Sequence, residues 1–137
     1  MYARVAAIPL LALPLSMAGS AAPADKPSIA RGRYIVEDVV QCWRCHTPQR
    51  ADGTPDRERW LAGGPVPYAS AKPVENWAVV APRLAGLPPG TDAEIVRLLT
   101  TGIARTGQPP RPPMLQFHMT RSDAQAVLAY LKSMPPE

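Results

Sequence analysis

Five consecutive residues carry the clearest chemistry in this sequence: Cys42-Trp43-Arg44-Cys45-His46, a C-x-x-C-H motif. Two thiols at this spacing can form thioether bonds with the two vinyl groups of one haem, and the imidazole that follows can bind the iron. The chain has two cysteines in all, so no other thiol competes for them. The motif predicts covalent attachment of one haem c through Cys42 and Cys45, with His46 as an axial iron ligand.

Other uses of this motif fit the sequence less well. A dithiol redox pair usually accompanies a βαβ pattern, and no such pattern precedes Cys42. A structural zinc site needs four protein ligands, which here would have to include the distant His118, because the second Cys/His pair that such sites usually have is missing. A disulfide between Cys42 and Cys45 would leave His46 without a role.

The sixth ligand of such an iron decides what the haem can do. An open position permits gas binding or peroxide chemistry, whereas a thioether ligand gives a saturated iron with a raised potential. The segment at residues 107–114 contains four prolines, which predict a stiff, extended arm that presents Met114 as the axial ligand. Met119 and His118 remain open as alternatives, and Met134 is a weaker one because it lies at a predicted helix end.

The first 24 residues resemble a secretory signal peptide. Arg4 precedes an almost wholly apolar run from Val5 to Ala18, and Ala22-Pro23-Ala24 fits a cleavage site, although Gly19-Ser20-Ala21 would also serve. The run is short for a membrane span of about 20 residues and contains two prolines, which favours cleavage over a retained anchor. We therefore expect a cleaved signal at 1–24, export to the periplasm, and a mature chain without a membrane span.

Length and composition indicate one small domain, at residues 25–137, with a limited core. The 137 residues include 18 prolines, and aromatic residues make up 6%, so much of the chain must be loop and few large side chains can fill an interior. A haem would supply the missing apolar mass. Cleavage would remove one basic residue and lower the formal charge from +4 to +3. A net charge this small gives no reason to expect nucleic acid as a partner.

Short helices are expected on both sides of the motif. Ser28 can cap a helix that runs to about Val40. Gly32 inside this helix would cost about 1 kcal/mol relative to alanine, and close approach of the C-terminal helix would explain it. Residues 57–62 favour one or two helical turns, and residues 77–80 have some strand character.

The second half of the chain has two clearer helix signals. Thr91 and Glu94 form a capping box for a helix that stops at Gly102. Thr120 begins a similar helix that runs to about Ser133. Together these signals predict three to four short helices, joined by long loops, that can pack around a haem.

From about Arg31 to Pro136 the sequence resembles class I (monohaem) cytochromes c, and in particular the haem domains of cytochrome c subunits of bacterial periplasmic dehydrogenases. The matching segments are 31–36, 42–48, 61–64, 112–114 and 126–132. The resemblance implies the all-α cytochrome c fold around one covalently bound haem, in which the first and last helices cross near Gly32 and Tyr130. It also implies His46 and Met114 as the axial ligands.

The resemblance further implies that the chain is an electron carrier or an electron-transfer subunit and not itself an enzyme. It would transfer electrons from a periplasmic dehydrogenase to an oxidase, another cytochrome or a further acceptor. Such domains often carry Asn where Arg83 stands. Arg83, Trp77 and Trp60 are candidates for contacts with the haem propionates, although packing is the usual role of a tryptophan. The alternative function is that of a small haem protein with an open sixth position, acting as a peroxidase-like enzyme or a gas sensor.

Overall fold

The computed structural model describes residues 26–86 and 88–135. The predicted signal peptide at 1–24 lies outside these ranges. Within them, the elements follow one another as α1 (Lys26–Tyr34), a π-helical segment (Ile35–Val39), α2 (Trp43–His46), a 3₁₀ turn (Arg57–Arg59), β1 (Gly64–Pro65), β2 (Val80–Ala81), α3 (Asp92–Thr101) and α4 (Arg121–Ser133). None of the helices in the described ranges is both long and apolar enough to cross a membrane.

The first helix and its π-helical extension lead directly into the motif. α1 begins at Lys26, so Ser28 lies inside the helix and not at its cap, contrary to the expected boundary. At Ile35 the helix widens, and the N–H of Val40 donates to the Ile35 carbonyl at 2.8 Å, the five-residue spacing of a π-helix. The N–H of Cys42 donates to a carbonyl of the same segment at 2.9 Å, which ties the first cysteine to the end of this helix.

α1 and α4 cross with their backbones in close contact. A Cβ atom added at Gly32 would lie 2.0 Å from the carbonyl oxygen of Ala126 and 2.8 Å from the Cβ of Tyr130. Glycine, which has no Cβ, avoids this overlap. At the edge of the crossing, Arg31 Nε donates to the carboxylate of Asp123 at 2.9 Å. The predicted crossing near Gly32 and Tyr130 is confirmed.

The two later helices begin where the sequence predicts. The Thr91 hydroxyl accepts the N–H of Glu94 and the Glu94 carboxylate accepts the N–H of Thr91, so the capping box is complete. α3 ends at Gly102, whose φ is +70°. At α4 the hydroxyl of Thr120 accepts the N–H of Asp123 at 3.1 Å, but the Asp123 carboxylate is used in the ion pair across the crossing.

The buried side chains form one core between the π-helical segment, α3, α4 and the loops that follow the 3₁₀ turn and β2. Its members are Ile35, Val36, Leu61, Ala85, Ile95, Val96, Leu99, Ala124, Val127, Leu128, Tyr130 and Leu131. One side of this core is open to a cavity, because Ile35, Leu99 and Val127 also line that space. The side chains around the core thus leave an apolar cavity beside it.

A small sheet supports the loops between α2 and α3. β1 and β2 pair antiparallel, with Gly64 opposite Ala81 and Pro65 opposite Val80. The strand expected at 77–80 is therefore two residues long and begins at Val80, and the turns expected at 57–62 are a single 3₁₀ turn. The predicted fold class, mostly helical with long loops, is confirmed.

Candidate haem site

An apolar cavity of about 390 Å³ opens in the core beside the C-x-x-C-H motif. Its size lies in the range of pockets that hold small-molecule ligands and cofactors. Cys42, Cys45 and His46 line it, and so do Met114 and Met119. Apolar residues complete much of the wall, among them Ile35, Val40, Val66, Ile95, Leu99, Phe117, Val127 and Leu131. The fold thus brings two thiols, an imidazole and two thioethers to one apolar space.

A single helical turn, α2, places both cysteines beside the cavity. The chain enters this turn through Gln41, which has a φ of +57°, and the Nε1 of Trp43 donates to the Glu37 carbonyl at 3.0 Å. Neither cysteine is in a disulfide. Burial raises the pKa of Cys42 to about 11 and raises the pKa of Cys45 as well. Both groups are therefore neutral thiols at neutral pH, which is unlike the low-pKa cysteines of redox enzymes.

His46, the last residue of α2, is 7% exposed and has one ring nitrogen free to bind a metal. Its Nδ1 lies 2.8 Å from the carbonyl oxygen of Pro82. A carbonyl can only accept, so Nδ1 carries the proton and Nε2 keeps its lone pair when the ring is neutral. Burial lowers the pKa of His46 and so favours the neutral ring. A backbone acceptor of this kind commonly orients a histidine that binds a metal.

Buried backbone contacts support His46 from behind. The N–H of Gly63 donates to the His46 carbonyl at 2.8 Å, and the Thr47 hydroxyl accepts the N–H of Leu61 at 2.9 Å. Gly63 has a φ of +76°, and a Cβ added there would lie 2.7 Å from the carbonyl carbon of Pro82. The missing side chain at Gly63 therefore allows the carbonyl that orients His46 to come close.

The proline arm expected from the sequence reaches the cavity. The carbonyl of Pro112 accepts the N–H of Ala78 at 2.6 Å, and the N–H of Met114 donates to the Arg111 carbonyl at 3.2 Å. The peptide bond between Pro112 and Pro113 is cis. Met114 is half-buried at the end of this arm and lines the cavity. The bond between Met114 and Arg111 closes a turn, so the arm is non-helical as expected but is not extended at its end. Backbone hydrogen bonds, without helix or strand, hold this methionine in place.

The other candidates for the sixth ligand are placed differently. Met119 also lines the cavity, but its N–H donates to the Leu99 carbonyl at 2.9 Å and its side chain packs against the core. His118 is exposed and does not line the cavity. Met134 packs against the core and lines a different pocket. Two thioethers, those of Met114 and Met119, are therefore present at the cavity wall.

The donors at the cavity fit a haem better than a metal ion held by protein alone. Among the described residues, no group of three or more His, Cys, Asp or Glu side chains is arranged to hold a metal ion. His118 does not join Cys42, Cys45 and His46, so the zinc alternative has no fourth ligand in the described structure. Two free thiols, a neutral imidazole and a thioether around an apolar space suit a covalently bound porphyrin.

Comparison with known families agrees with this arrangement. The sequence matches the family described as cytochrome c over residues 29–135, which includes the motif, the arm and all four α-helices except the start of α1. This chain belongs to the cytochrome c family. Membership supports the binding of haem c and a role in electron transfer.

Relatives of this cytochrome c are about one third identical to it. The cytochrome c subunit of alcohol dehydrogenase (quinone) from Gluconacetobacter polyoxogenes is 33% identical over 125 residues, covering 84% of this chain and 26% of the relative. The fructose dehydrogenase cytochrome subunit of Gluconobacter japonicus is 31% identical over 111 residues (77% and 22%). The diheme cytochrome c-type protein of Cereibacter sphaeroides is 32% identical over 114 residues (80% and 36%). This chain thus spans 22% to 36% of the length of these relatives.

The three residues predicted to contact the haem propionates do not line the cavity of this cytochrome c. Trp60 stacks on Trp43, with ring centroids 5.6 Å apart. The Nε1 of Trp77 donates to the Tyr68 carbonyl at 3.2 Å. Arg83 lines a separate surface pocket beside Trp60. All three have protein neighbours in this structure, and their contact with propionates stays a prediction.

Two further residues at the cavity of this cytochrome c were not identified from the sequence as site residues. Pro82 contributes a carbonyl oxygen, which no sequence pattern marks. Arg111 lines the cavity and donates from Nε to the Asn76 carbonyl at 3.0 Å and from Nη2 to the Trp77 carbonyl at 3.1 Å. Its place within the proline arm, three residues before Met114, was the one signal that pointed to it.

Proposed function

We propose that this cytochrome c transfers electrons in the periplasm through one covalently attached haem c, with His46 and Met114 as axial ligands. One observation carries the proposal: both thiols of the motif, a neutral imidazole and the methionine of the proline arm line the same apolar cavity. The apolar wall and the hydrogen-bonded histidine are what such a site needs in order to hold a haem and exclude water.

The residues of the chain bind, orient and enclose the cofactor. A bound haem supplies an iron that gains and loses one electron. Cys42 and Cys45 would anchor it, and the Pro82 carbonyl keeps the ring of His46 oriented with Nε2 available. The thioether of Met114 would serve as a neutral, weak donor that favours the reduced state, and it would leave no position for a substrate. The chain therefore adjusts the reduction potential and keeps other chemistry away from the iron.

We assign the sixth ligand to Met114 and not to Met119 because of what each side chain already contacts. Met119 is held to α3 through Leu99 and contributes to core packing, so its removal to an iron would take apolar contacts from the core. Met114 is outside the residues that pack against the core and sits on an arm held by Ala78. It can serve as a ligand without loss of packing.

The relatives suggest the setting in which the electrons move. Two of them are named as cytochrome subunits of an alcohol dehydrogenase and a fructose dehydrogenase. We propose that this domain accepts electrons from a periplasmic dehydrogenase and passes them to an oxidase or another cytochrome, as a carrier or a subunit and not as an enzyme. The predicted signal peptide supports export, which c-type haem attachment requires.

Covalent attachment can be tested with the full-length chain in a bacterial host that has haem-maturation machinery. We expect the haem to remain with the protein during acidic solvent extraction. The double variant Cys42→Ala, Cys45→Ala should give colourless protein or protein from which haem is extracted. Haem that stays covalently bound in the double variant would refute the proposed attachment.

The sixth ligand can be tested with two methionine variants that line the same cavity. Met114→Ala should abolish the weak sulfur-to-iron charge-transfer band of the oxidised protein, lower the reduction potential and let the reduced protein bind carbon monoxide. Met119→Ala, the matched control, should keep the band. The reverse pattern would assign Met119, and carbon monoxide binding by the unaltered protein would favour the alternative with an open sixth position.

A further inference from the structure

Arg111 is the one side chain with a full charge at neutral pH among the described residues that line the cavity. A haem carries two propionate carboxylates, and a carboxylate at an apolar site requires a hydrogen-bonding or cationic partner. We propose that Arg111 binds a haem propionate and thereby links the cofactor to the arm that carries Met114. The inference rests on the proposed function.

The guanidinium of Arg111 is already held in place for such a contact. Two of its five N–H donors are used, from Nε to the Asn76 carbonyl and from Nη2 to the Trp77 carbonyl, so three remain for a ligand. In the described part of the chain, no carboxylate forms an ion pair with Arg111. A fixed, unpaired guanidinium is well suited to bind a carboxylate through two parallel hydrogen bonds.

The same residue is joined to the sixth ligand through the backbone. The Arg111 carbonyl accepts the N–H of Met114, and the next carbonyl, that of Pro112, accepts the N–H of Ala78. The side chain and the main chain of this segment therefore fasten the arm to residues 76–78. A propionate bound to the free donors would complete this connection between the loop, the arm and the cofactor.

The structure favours Arg111 over the three contacts predicted from the sequence. Arg83 lines a separate pocket, and the indole N–H groups of Trp60 and Trp77 do not reach the cavity wall. Trp77 contributes in a different way, because its carbonyl accepts from Arg111. The cationic partner of the propionate thus comes from the methionine arm and not from the segment after β2.

Two measurable properties should follow from this pairing. A guanidinium beside a propionate favours the ionised carboxylate, so this propionate should add little pH dependence to the potential of the unaltered protein. The guanidinium also disfavours the additional positive charge of the oxidised state, which raises the potential. Without it, the propionate pKa should rise by about one unit or more, and the potential should then rise as the pH falls through that pKa.

The test is a series of redox titrations of full-length holoprotein between about pH 5 and pH 8. Arg111→Gln should lower the potential at neutral pH and make it depend on pH more steeply than in the unaltered protein. Arg111→Lys keeps the charge and should retain the pH profile of the unaltered protein. Arg83→Gln removes a cation outside the cavity and should leave both the potential and the profile unchanged.

Several outcomes would overturn the inference. One is an unchanged potential and pH profile in Arg111→Gln. Another is loss of the Met114 charge-transfer band in that variant without any new pH dependence, because that result would show that Arg111 holds the arm in place but does not bind a propionate. If Arg83→Gln shows the changes that we expect of Arg111→Gln, the propionate is bound by Arg83 instead. If Arg111→Gln takes up no haem, Arg111→Lys provides the test. Retained haem with the same pH profile of the potential as the unaltered protein supports the pairing, and loss of haem contradicts it.

The inference and the proposed function fail in different ways. An unaltered protein without covalent haem would refute the proposed function and the inference together. Unaltered protein with covalent haem and the charge-transfer band, beside an Arg111→Gln variant with the same potential at every pH, would refute only the role of Arg111.

Discussion

The crossing of α1 and α4 and the arm that carries Met114 are held by different interactions. At the crossing, Gly32 lies against the backbone at Ala126, and the surrounding side chains are buried. On the arm, Met114 is half-buried and its position depends on hydrogen bonds that involve Arg111 and Ala78. Apolar burial stabilises the first region, whereas polar contacts between loops position the second.

This difference separates the residues that maintain the fold from those that adjust the cofactor. The crossing would be needed whether or not a haem is bound, because its contacts are between protein atoms. The arm's contacts meet at the cavity, so their loss should change the ligation and potential of a bound haem more than the unfolding free energy. The segment behind His46 belongs to both groups, because Gly63 combines a steric requirement with support of the proposed axial ligand.

The largest effect on stability is expected from Gly32→Val at the crossing. An added Cβ would overlap the Ala126 carbonyl oxygen, so the free energy of unfolding should fall by about 3 kcal/mol, the upper end of the range for overpacking. Ala30→Val, on the exposed side of α1, is the control and should cost less than about 1 kcal/mol through helix propensity. Urea denaturation measures both, and equal midpoints would show that the crossing does not require glycine.

An intermediate effect is expected from Gly63→Ala behind His46. The positive φ should cost about 1 kcal/mol in any alanine variant, and overlap with the Pro82 segment should add about 1 to 2 kcal/mol. Gly53→Ala is a close control, because Gly53 has a φ of +82° but nothing within 4 Å of an added Cβ.

The spectrum distinguishes the two glycine variants further. Displacement of the Pro82 carbonyl should disturb the orientation of His46, so the haem spectrum of Gly63→Ala should change while that of Gly53→Ala does not. If the two variants have the same denaturation midpoint and the same spectrum, the close approach at Gly63 has no bearing on the orientation of His46.

The smallest effect is expected from Tyr130→Phe, which keeps the ring at the crossing and removes its hydroxyl. That hydroxyl donates to the Glu37 carboxylate, and its loss should cost about 1 kcal/mol at neutral pH. Tyr34→Phe, on the exposed surface of α1, is the control and should have almost no effect.

The pH dependence of the Tyr130 variant provides a second check. Burial, followed by the Glu37 carboxylate, raises the pKa of Tyr130 above its ordinary value. The folded protein therefore retains this proton more strongly than the unfolded chain, and the resulting stabilisation is complete below about pH 10 and is lost as the pH rises further. Tyr130→Phe should flatten the decline above pH 10, and an identical decline in both proteins would contradict the assignment.

The sequence alone determined the features that follow from local rules. The spacing of Cys42, Cys45 and His46 matches the covalent geometry of haem c attachment, and it predicted this cofactor without any knowledge of the fold. The prolines before Met114 restrict φ and exclude a helix, so a non-helical arm could be expected from residue types alone. Gly32 indicated a close helix contact because glycine in a helix interior has an energetic cost that packing must offset.

Only the tertiary structure decided which groups meet at the cavity. A backbone carbonyl such as that of Pro82 carries no signal in the sequence. It orients His46 only because the fold brings together two residues that are 36 positions apart in the chain. Side-chain donors bind whichever acceptors the fold brings near. Trp60 and Trp77 therefore found protein neighbours, while Arg111 was brought to the cavity by the loop at residues 76–78. These contacts depend on distances between segments remote in the chain, which residue types and local spacing do not determine.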